Sequence, residues 1–245
     1  MNYLGKFHNR INITHRMVKD KIKEYLFRKM NVSFAVSGED VLLNQLLKKN
    51  PTLNNIYIDI GCHDPIINSN SYYFYLRGWK GICIDPNPIF INSSLKYRPN
   101  DTFINCGVSD KNEKLDYFMH SNEYSDLNTF NPKNVKRKYF NKKVSLRLNT
   151  LEKTLDKVLK KKQTSIGFLS IDVEGYDLNV LKSNDWDKYR PSVVVVEFNG
   201  NMLDVYKSPI YEYLNDLSYK PVSKTSTNLD FGNLFFIDKK IKWYL

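Results

Sequence analysis

Apolar residues fall in five short, nearly unbroken runs: "IYIDIG" (56–61), "GICID" (81–85), "TFINCGV" (102–108), "IGFLSIDV" (166–173) and "SVVVVEFN" (192–199). Runs of this length, rich in Val and Ile and bounded by turn-forming residues, predict strands buried on both faces. Between them the period lengthens, and "LNTLEKTLDKVLKK" and "YDLNVLKSNDW" predict helices. Strands alternating with helices predict an α/β domain, with a mostly parallel sheet, helices on both faces and right-handed crossovers. The closing stretch 209–238 reads as a helix and a hairpin that completes the edge of the sheet.

Two segments depart from this rhythm. Residues 114–148 fit no β-α unit and are expected to form an insertion of short strands and loop, of the kind that covers a site. Residues 1–36 hold eight Lys or Arg against two acids and place Val18, Ile22, Tyr25 and Leu26 on one helical face. They predict a basic helical N-terminal extension that packs on the domain or on a second copy of the chain, making a homo-oligomer through this helix one expected partner arrangement. "VSGEDVLLNQLLKKNP" then opens the main domain, 37–245, with a helix ending before Pro51.

Composition narrows the class. Of 245 residues, 42% are hydrophobic, which is globular rather than disordered. No apolar run approaches a membrane span and the N-terminus lacks the apolar core of a secretory signal, so a cytoplasmic protein is expected. Cys62, Cys83 and Cys106 have no CxxC spacing and read as core residues rather than disulfides or zinc ligands. The net charge of +11 favours anionic partners without choosing among them. "PKNVKRKYFNKKVSLR" carries seven Lys or Arg and is read first as a solvated loop, ahead of a nucleic-acid or diphosphate contact.

The chemistry collects at the strand ends. Four runs close on an acid: Asp59, Asp85, Asp172 and Glu197. Parallel sheets bind ligands outside the carboxyl ends of their strands, so the acids are expected to converge on one crevice, where their repulsion calls for a positive or donor-rich ligand. Gly61, with Asp85 twenty-four residues later, follows the logic of nucleoside binding: the glycine admits close backbone approach and the acid accepts ribose hydroxyls. Gly61 is followed by Cys62, His63, Asp64 and Pro65 instead of a full GxGxxG, which disfavours a dinucleotide. S-adenosylmethionine, with its sulfonium and ammonium, suits an acid-lined crevice.

"SGEDVLLNQLL", "YIDIGCHDP", "SNSYYFYLRGWKGICIDPNP", "FLSIDVEGYDLNVL" and "VVVVEFN", in that order, resemble the FkbM family of S-adenosylmethionine-dependent methyltransferases from about Ser37 onward. The resemblance implies a class I methyltransferase, Rossmann-like α/β fold: a mostly parallel seven-stranded sheet whose last strand is antiparallel. It implies O-methylation of a hydroxyl on a sugar, nucleotide-linked sugar or surface-glycan precursor. By position, it places Asp59, Gly61, His63, Ser69 and Asn70 at the methionine end. Asp85 and Pro86 fall at the ribose, and Cys106, Gly107 and Val108 near adenine, with Ser109 and Asp110 behind. Pro65 and Cys62 depart from the family pattern and alter the loop that meets the methionine carboxylate.

More distantly, the chain resembles metal-dependent sugar O-methyltransferases. That likeness implies a divalent cation such as Mg2+ on Asp172 and Glu197, with Glu174 as general base; a bound cation would lower the pKa of a sugar hydroxyl. The competing reading has Asp172 touching cofactor and Glu174 capping the helix after it. His63 is a further candidate base, though a histidine beside a glycine turn is more often a hydrogen-bonding loop residue, and His120 is expected to be a solvated loop histidine. Two alternatives stand beside the O-methyltransferase: a nucleic-acid methyltransferase using the basic surface, which the absence of an "NPPY"-type loop disfavours, and a non-catalytic binding protein on the same fold.

Overall fold

The computed structural model describes residues 18, 19, 21, 31–50, 55–159, 166–226 and 230–243. The chain divides into Met1–Ser33 and Phe34–Leu245. Most of the predicted basic helix, and with it the expected oligomer contact, lies outside the described residues.

In chain order the second unit contains α1 (Glu39–Leu47), β1 (Ile56–Ile60), α2 (Tyr72–Leu76), β2 (Lys80–Ile84), α3 (Ile91–Tyr97), β3 (Thr102–Ile104) and β4 (Gly107–Val108). There follow β5 (Glu113–His120), β6 (Phe140–Asn149), α4 (Leu151–Asp156), β7 (Ile166–Ile171), α5 (Asp177–Lys182) and β8 (Pro191–Asn199). The chain closes with α6 (Pro209–Asp216), β9 (Tyr219–Lys224) and β10 (Phe231–Asp238). Seven strands form one sheet in the order β3-β2-β1-β7-β8-β10-β9. All neighbours are parallel except β10, which runs against both β8 and β9. This is the class I methyltransferase arrangement, with the predicted hairpin at the edge.

The apolar strands have the predicted cause: β7 is buried at every position, and β8 from Pro191 to Val196. One face of the sheet packs Ile58, Ile60 and Leu169 on α4, α5 and α6 through Leu155, Val180 and Leu214. The other packs Tyr57, Phe168 and Phe235 on α1 and α2 through Leu43 and Phe74. Helix α6 starts at a Ser208 side chain accepting from the Tyr211 N–H, with Pro209 in the first turn.

The run 102–108 is two strands, not one. Asn105 donates its side-chain N–H to the Asp85 carbonyl at 2.8 Å, and the bend sends β4 into a second sheet, β4-β6-β5. That sheet, with the turns at 122–127 and 132–134, is the predicted insertion. Its core is small: Tyr117, Phe130 and Leu148.

Candidate functional site

The strand register builds the site. Ile60 pairs with Ile84 and with Ile171, and Ile171 with Val196. One step beyond each partner stand Gly61, Asp85, Asp172 and Glu197, so these residues form a row across four strand ends. The sequence order reverses between β1 and β7, which puts the row at the switch point where open α/β sheets bind ligands.

Gly61 is the close-approach point. Its φ is +77°, and a Cβ there would lie 1.7 Å from the Asp172 carbonyl oxygen, so only glycine fits. Beyond it the loop turns through His63 at φ 46°. Pro65 does not loosen this loop: Asp64 accepts from the Ile66 and Ile67 N–H groups, and buried Arg98 donates to the Pro65 carbonyl.

A narrow hollow of about 50 Å³ runs along the row. Of the residues expected to hold cofactor, Gly61, His63, Asp85, Pro86, Cys106 and Gly107 line it, together with Val108 and Asp172. Asp85 is buried, one carboxylate oxygen accepting from the His63 N–H (2.9 Å) and the other from Asn87 (2.7 Å). Burial pushes its pKa up to about 6 against the pull of those two donors. Each oxygen keeps a lone pair for a further hydroxyl.

Asp59, Ser69 and Asn70 stand elsewhere. Strand alternation turns Asp59 away from Ile58 and Ile60, into a buried network where Ser71 donates to its carboxylate and Arg98 Nη2 donates to Ser71 (3.0 Å). Ser69 accepts from the Tyr72 N–H, and Asn70 donates to Ser170. None of the three lines the hollow, so the expected row of acids loses Asp59; Asp85 and Asp172 line it, and Glu197, one strand further along the row, lines a larger hollow beside it. Ser109 faces Asp110 and Glu113.

The insertion, expected as a cover, supplies the opposite wall through residues that the sequence did not single out. Tyr117, Ser125, Asn128 and Phe130 line the hollow, and Ser125 Oγ meets His63 Nε2 at 2.9 Å across it. Asn128 Nδ2 is buried and has no hydrogen-bond partner, a donor orphaned at the wall. His120 is buried, contrary to the solvated loop expected, and accepts from the Lys136 N–H. Burial lowers the pKa of His63, which keeps it neutral near pH 7.

A second hollow, of about 570 Å³, opens beside the first between the ends of β7 and β8 and the insertion. Glu174 lines both. It sits at φ 53°, followed by Gly175 at φ 92°, a turn of sparsely populated backbone. Thr129 Oγ1 and Asn134 Nδ2 each donate to its carbonyl at 2.8 Å, so the insertion holds it in place. A Cβ on Gly175 would come within 2.5 Å of Asn134. Asp177, the third acid of the motif and the first residue of α5, accepts from the Val173 and Gly175 N–H groups and so ties down the turn before the helix.

Asp172, Glu174 and Glu197 can place one carboxylate oxygen each within 4.8 Å of one another. Burial first, then repulsion from neighbouring acids, raises all three: Glu174, facing Asp177 and Asp126, to about 7, Glu197 to about 10, and Asp172 in the same direction. The sign follows: carboxylates whose folded pKa lies above the unfolded value near 4 contribute stability that is fully present below that value and is lost as pH rises through about 7 for Glu174 and about 10 for Glu197. Without added ligand, melting is therefore expected several degrees lower at pH 8 than at pH 5 by scanning calorimetry. A higher melting temperature at pH 8 would show that the cluster is not buried as described.

Arg98, Asp101, Tyr57 and Cys83 pack together behind the glycine loop, with Arg98 Nε 2.8 Å from Asp101. Cys62 and Cys83 are buried and Cys106 is half-buried, all three with free thiols. No helix among the described residues is long and apolar enough to cross a membrane.

No curated protein matches the chain. Among solved structures it is similar to a TehB-like SAM-dependent methyltransferase from Corynebacterium glutamicum, at 11% identity and a TM-score of 0.40, covering 92% of this chain and 99% of that one. It is also similar to a precorrin-6y C5,15-methyltransferase from Geobacter metallireducens, at 13% identity and a TM-score of 0.37, covering 81% and 87%. Likeness this distant adds nothing to the sheet topology. Residues 59–221 match the Methyltransferase FkbM domain, a span that contains the glycine loop, the row of strand-end acids and the insertion, and the chain belongs to that family of methyltransferases.

Proposed function

We propose that the protein transfers a methyl group from S-adenosylmethionine to a hydroxyl of a sugar, nucleotide-linked sugar or surface-glycan precursor, in the cytoplasm, with Glu174 as general base. The observation that carries this reading is the position of Glu174 on the wall common to both hollows, with a pKa of about 7. A base poised near the working pH takes a proton most effectively.

The narrow hollow fits the donor. Asp85 offers two free lone pairs for ribose hydroxyls, the missing Cβ of Gly61 gives room, and Asn128 supplies an unpaired N–H. Cys106, Gly107 and Val108 offer the adenine a partly apolar wall, and His63 and Asp172 face the methionine end. Asp59, Ser69 and Asn70 act here as supports of the loop. S-adenosylmethionine, once bound, supplies an electrophilic methyl carbon. Admitting it requires the 122–127 turn to move outward and part Ser125 from His63, since the hollow holds only about 50 Å³.

The carboxylate cluster fits a hard divalent cation, whose ligands are oxygens and whose charge would relieve the repulsion. Asp172, Glu174 and Glu197 would hold it, and it would supply a lowered pKa at the acceptor hydroxyl. With Glu174 shared between cation and proton, Asp172 and Glu197 carry most of the ligation.

Calorimetric titration with S-adenosylhomocysteine and transfer of labelled methyl from S-adenosylmethionine test the reading. One binding site per chain is expected, with no heat from either nucleoside overturning it. For the cation, millimolar Mg2+ at pH 8 is expected to raise the melting temperature and exhaustive chelation to abolish transfer; indifference to both removes the metal from the account.

A further inference from the structure

The larger hollow also says which acceptors it excludes. We propose that it takes a hydroxyl compound carrying an uncharged apolar arm, in preference to a nucleotide-linked sugar; this rests on the methyltransferase reading above and narrows it.

The cavity has two ends of different chemistry. At one stand Glu174, Asp177 and Glu197, beside Asp172. Lys136 is the only cationic side chain among the described residues that line it. A diphosphate brought into this space finds Lys136 as its one cationic partner among the described lining residues, against three lining acids with Asp172 beside them. Like charges in a partly dehydrated site repel strongly.

The other walls are apolar. Leu178, Phe198, Pro209, Ile210 and Phe231 line them, with Leu127 from the insertion. The rim continues the same character. Met202 is 55% exposed, Leu203 82% and Tyr206 61%, on the turn that follows β8 and leads into the lining residues at Ser208 and Pro209. That turn folds back on the cavity wall: a Cβ on Gly200 would come within 3.0 Å of the Phe198 ring, and the Tyr206 ring packs on Tyr211 at 5.1 Å. Three large apolar side chains exposed on one short turn beside a cavity mark a binding surface. The hydroxyl end of an acceptor would sit at Glu174 and its apolar arm would leave along Phe198 and Ile210 toward this rim.

The test uses the full chain saturated with S-adenosylhomocysteine, titrated with n-octyl β-D-glucoside below its micelle concentration, methyl β-D-glucoside and UDP-glucose. The octyl glucoside is expected to bind at least tenfold tighter than the methyl glucoside, since each buried methylene adds affinity, and UDP-glucose weaker than the octyl compound. Ile210→Asp is expected to erase the octyl preference while the protein still binds S-adenosylhomocysteine, which also separates cavity binding from detergent adsorption. UDP-glucose binding tighter, an octyl-to-methyl ratio near one, no octyl binding, or an octyl preference surviving in Ile210→Asp would each overturn the proposal. Failure to bind S-adenosylhomocysteine would instead strike the methyltransferase reading, and this inference with it.

Discussion

Glu174→Gln is expected to lower kcat by about 10²- to 10⁴-fold, the usual contribution of a positioned general base, while changing the affinity for S-adenosylhomocysteine far less. Glutamine keeps the shape and the strained backbone that Thr129 and Asn134 hold, but removes the proton acceptor. The pH profile separates this from a structural loss. The base must be deprotonated, so kcat of the parent should rise with pH and then level off, with its midpoint at about 7 when the cluster holds no cation and at lower pH when a cation bound there stabilises the carboxylate. The groups facing Glu174 define that midpoint: burial, Asp177 and Asp126 raise it, Asp172 and Glu197 interact with it through the cluster, and Lys136 lowers it. Lys136→Met should therefore shift the rising limb to higher pH, and Glu174→Gln should abolish it. A glutamine variant with parental kcat and the same limb would assign the base elsewhere, with His63 the next candidate on the wall.

Asp85→Ala is expected to weaken S-adenosylhomocysteine binding by at least ~10²-fold. Hydrogen bonds to a charged acceptor contribute roughly 1.5–3 kcal/mol each, and two ribose hydroxyls on one carboxylate would together reach that range. The alanine also leaves the His63 and Asn87 N–H groups without their acceptor, so the glycine loop loosens as well as losing its ligand contact. Asp85→Asn keeps the shape and should recover part of the loss. Affinity within threefold of the parent in Asp85→Ala, measured by calorimetry, would remove the ribose contact.

Why the sequence showed some of this and hid the rest follows from range of interaction. Asp85 and Asp172 were legible because each directly follows a strand, and Glu197 because it closes the apolar run of β8, two residues before that strand ends. Asp59 also sits near a strand end, but it lies two residues before Gly61, and alternation turns it into the Arg98 network. Ser69 and Asn70 face the same side through loop contacts that no spacing encodes. Helices α2 and α3, of five and seven residues, are too short to show a period in the sequence. The split of 102–108 depends on one side-chain bond from Asn105 to the Asp85 carbonyl.

The insertion was legible as an interruption and as a cover, and no further. Asn128, Thr129, Asn134 and Lys136 reach the site across 40 or more residues of chain separation, or across a second sheet, so their roles depend on tertiary packing. Buried His120 is a product of the same packing. The family resemblance supplied the cofactor, and the structure adds where the donor hollow meets the larger cavity.

The most direct measurement is a crystal structure of the protein with S-adenosylhomocysteine bound. The account predicts the ribose hydroxyls on Asp85, the adenine beside Cys106 to Val108, and the sulfur turned toward Glu174 and the larger cavity. A nucleoside bound anywhere else, or a sulfur pointing away from that cavity, would contradict it.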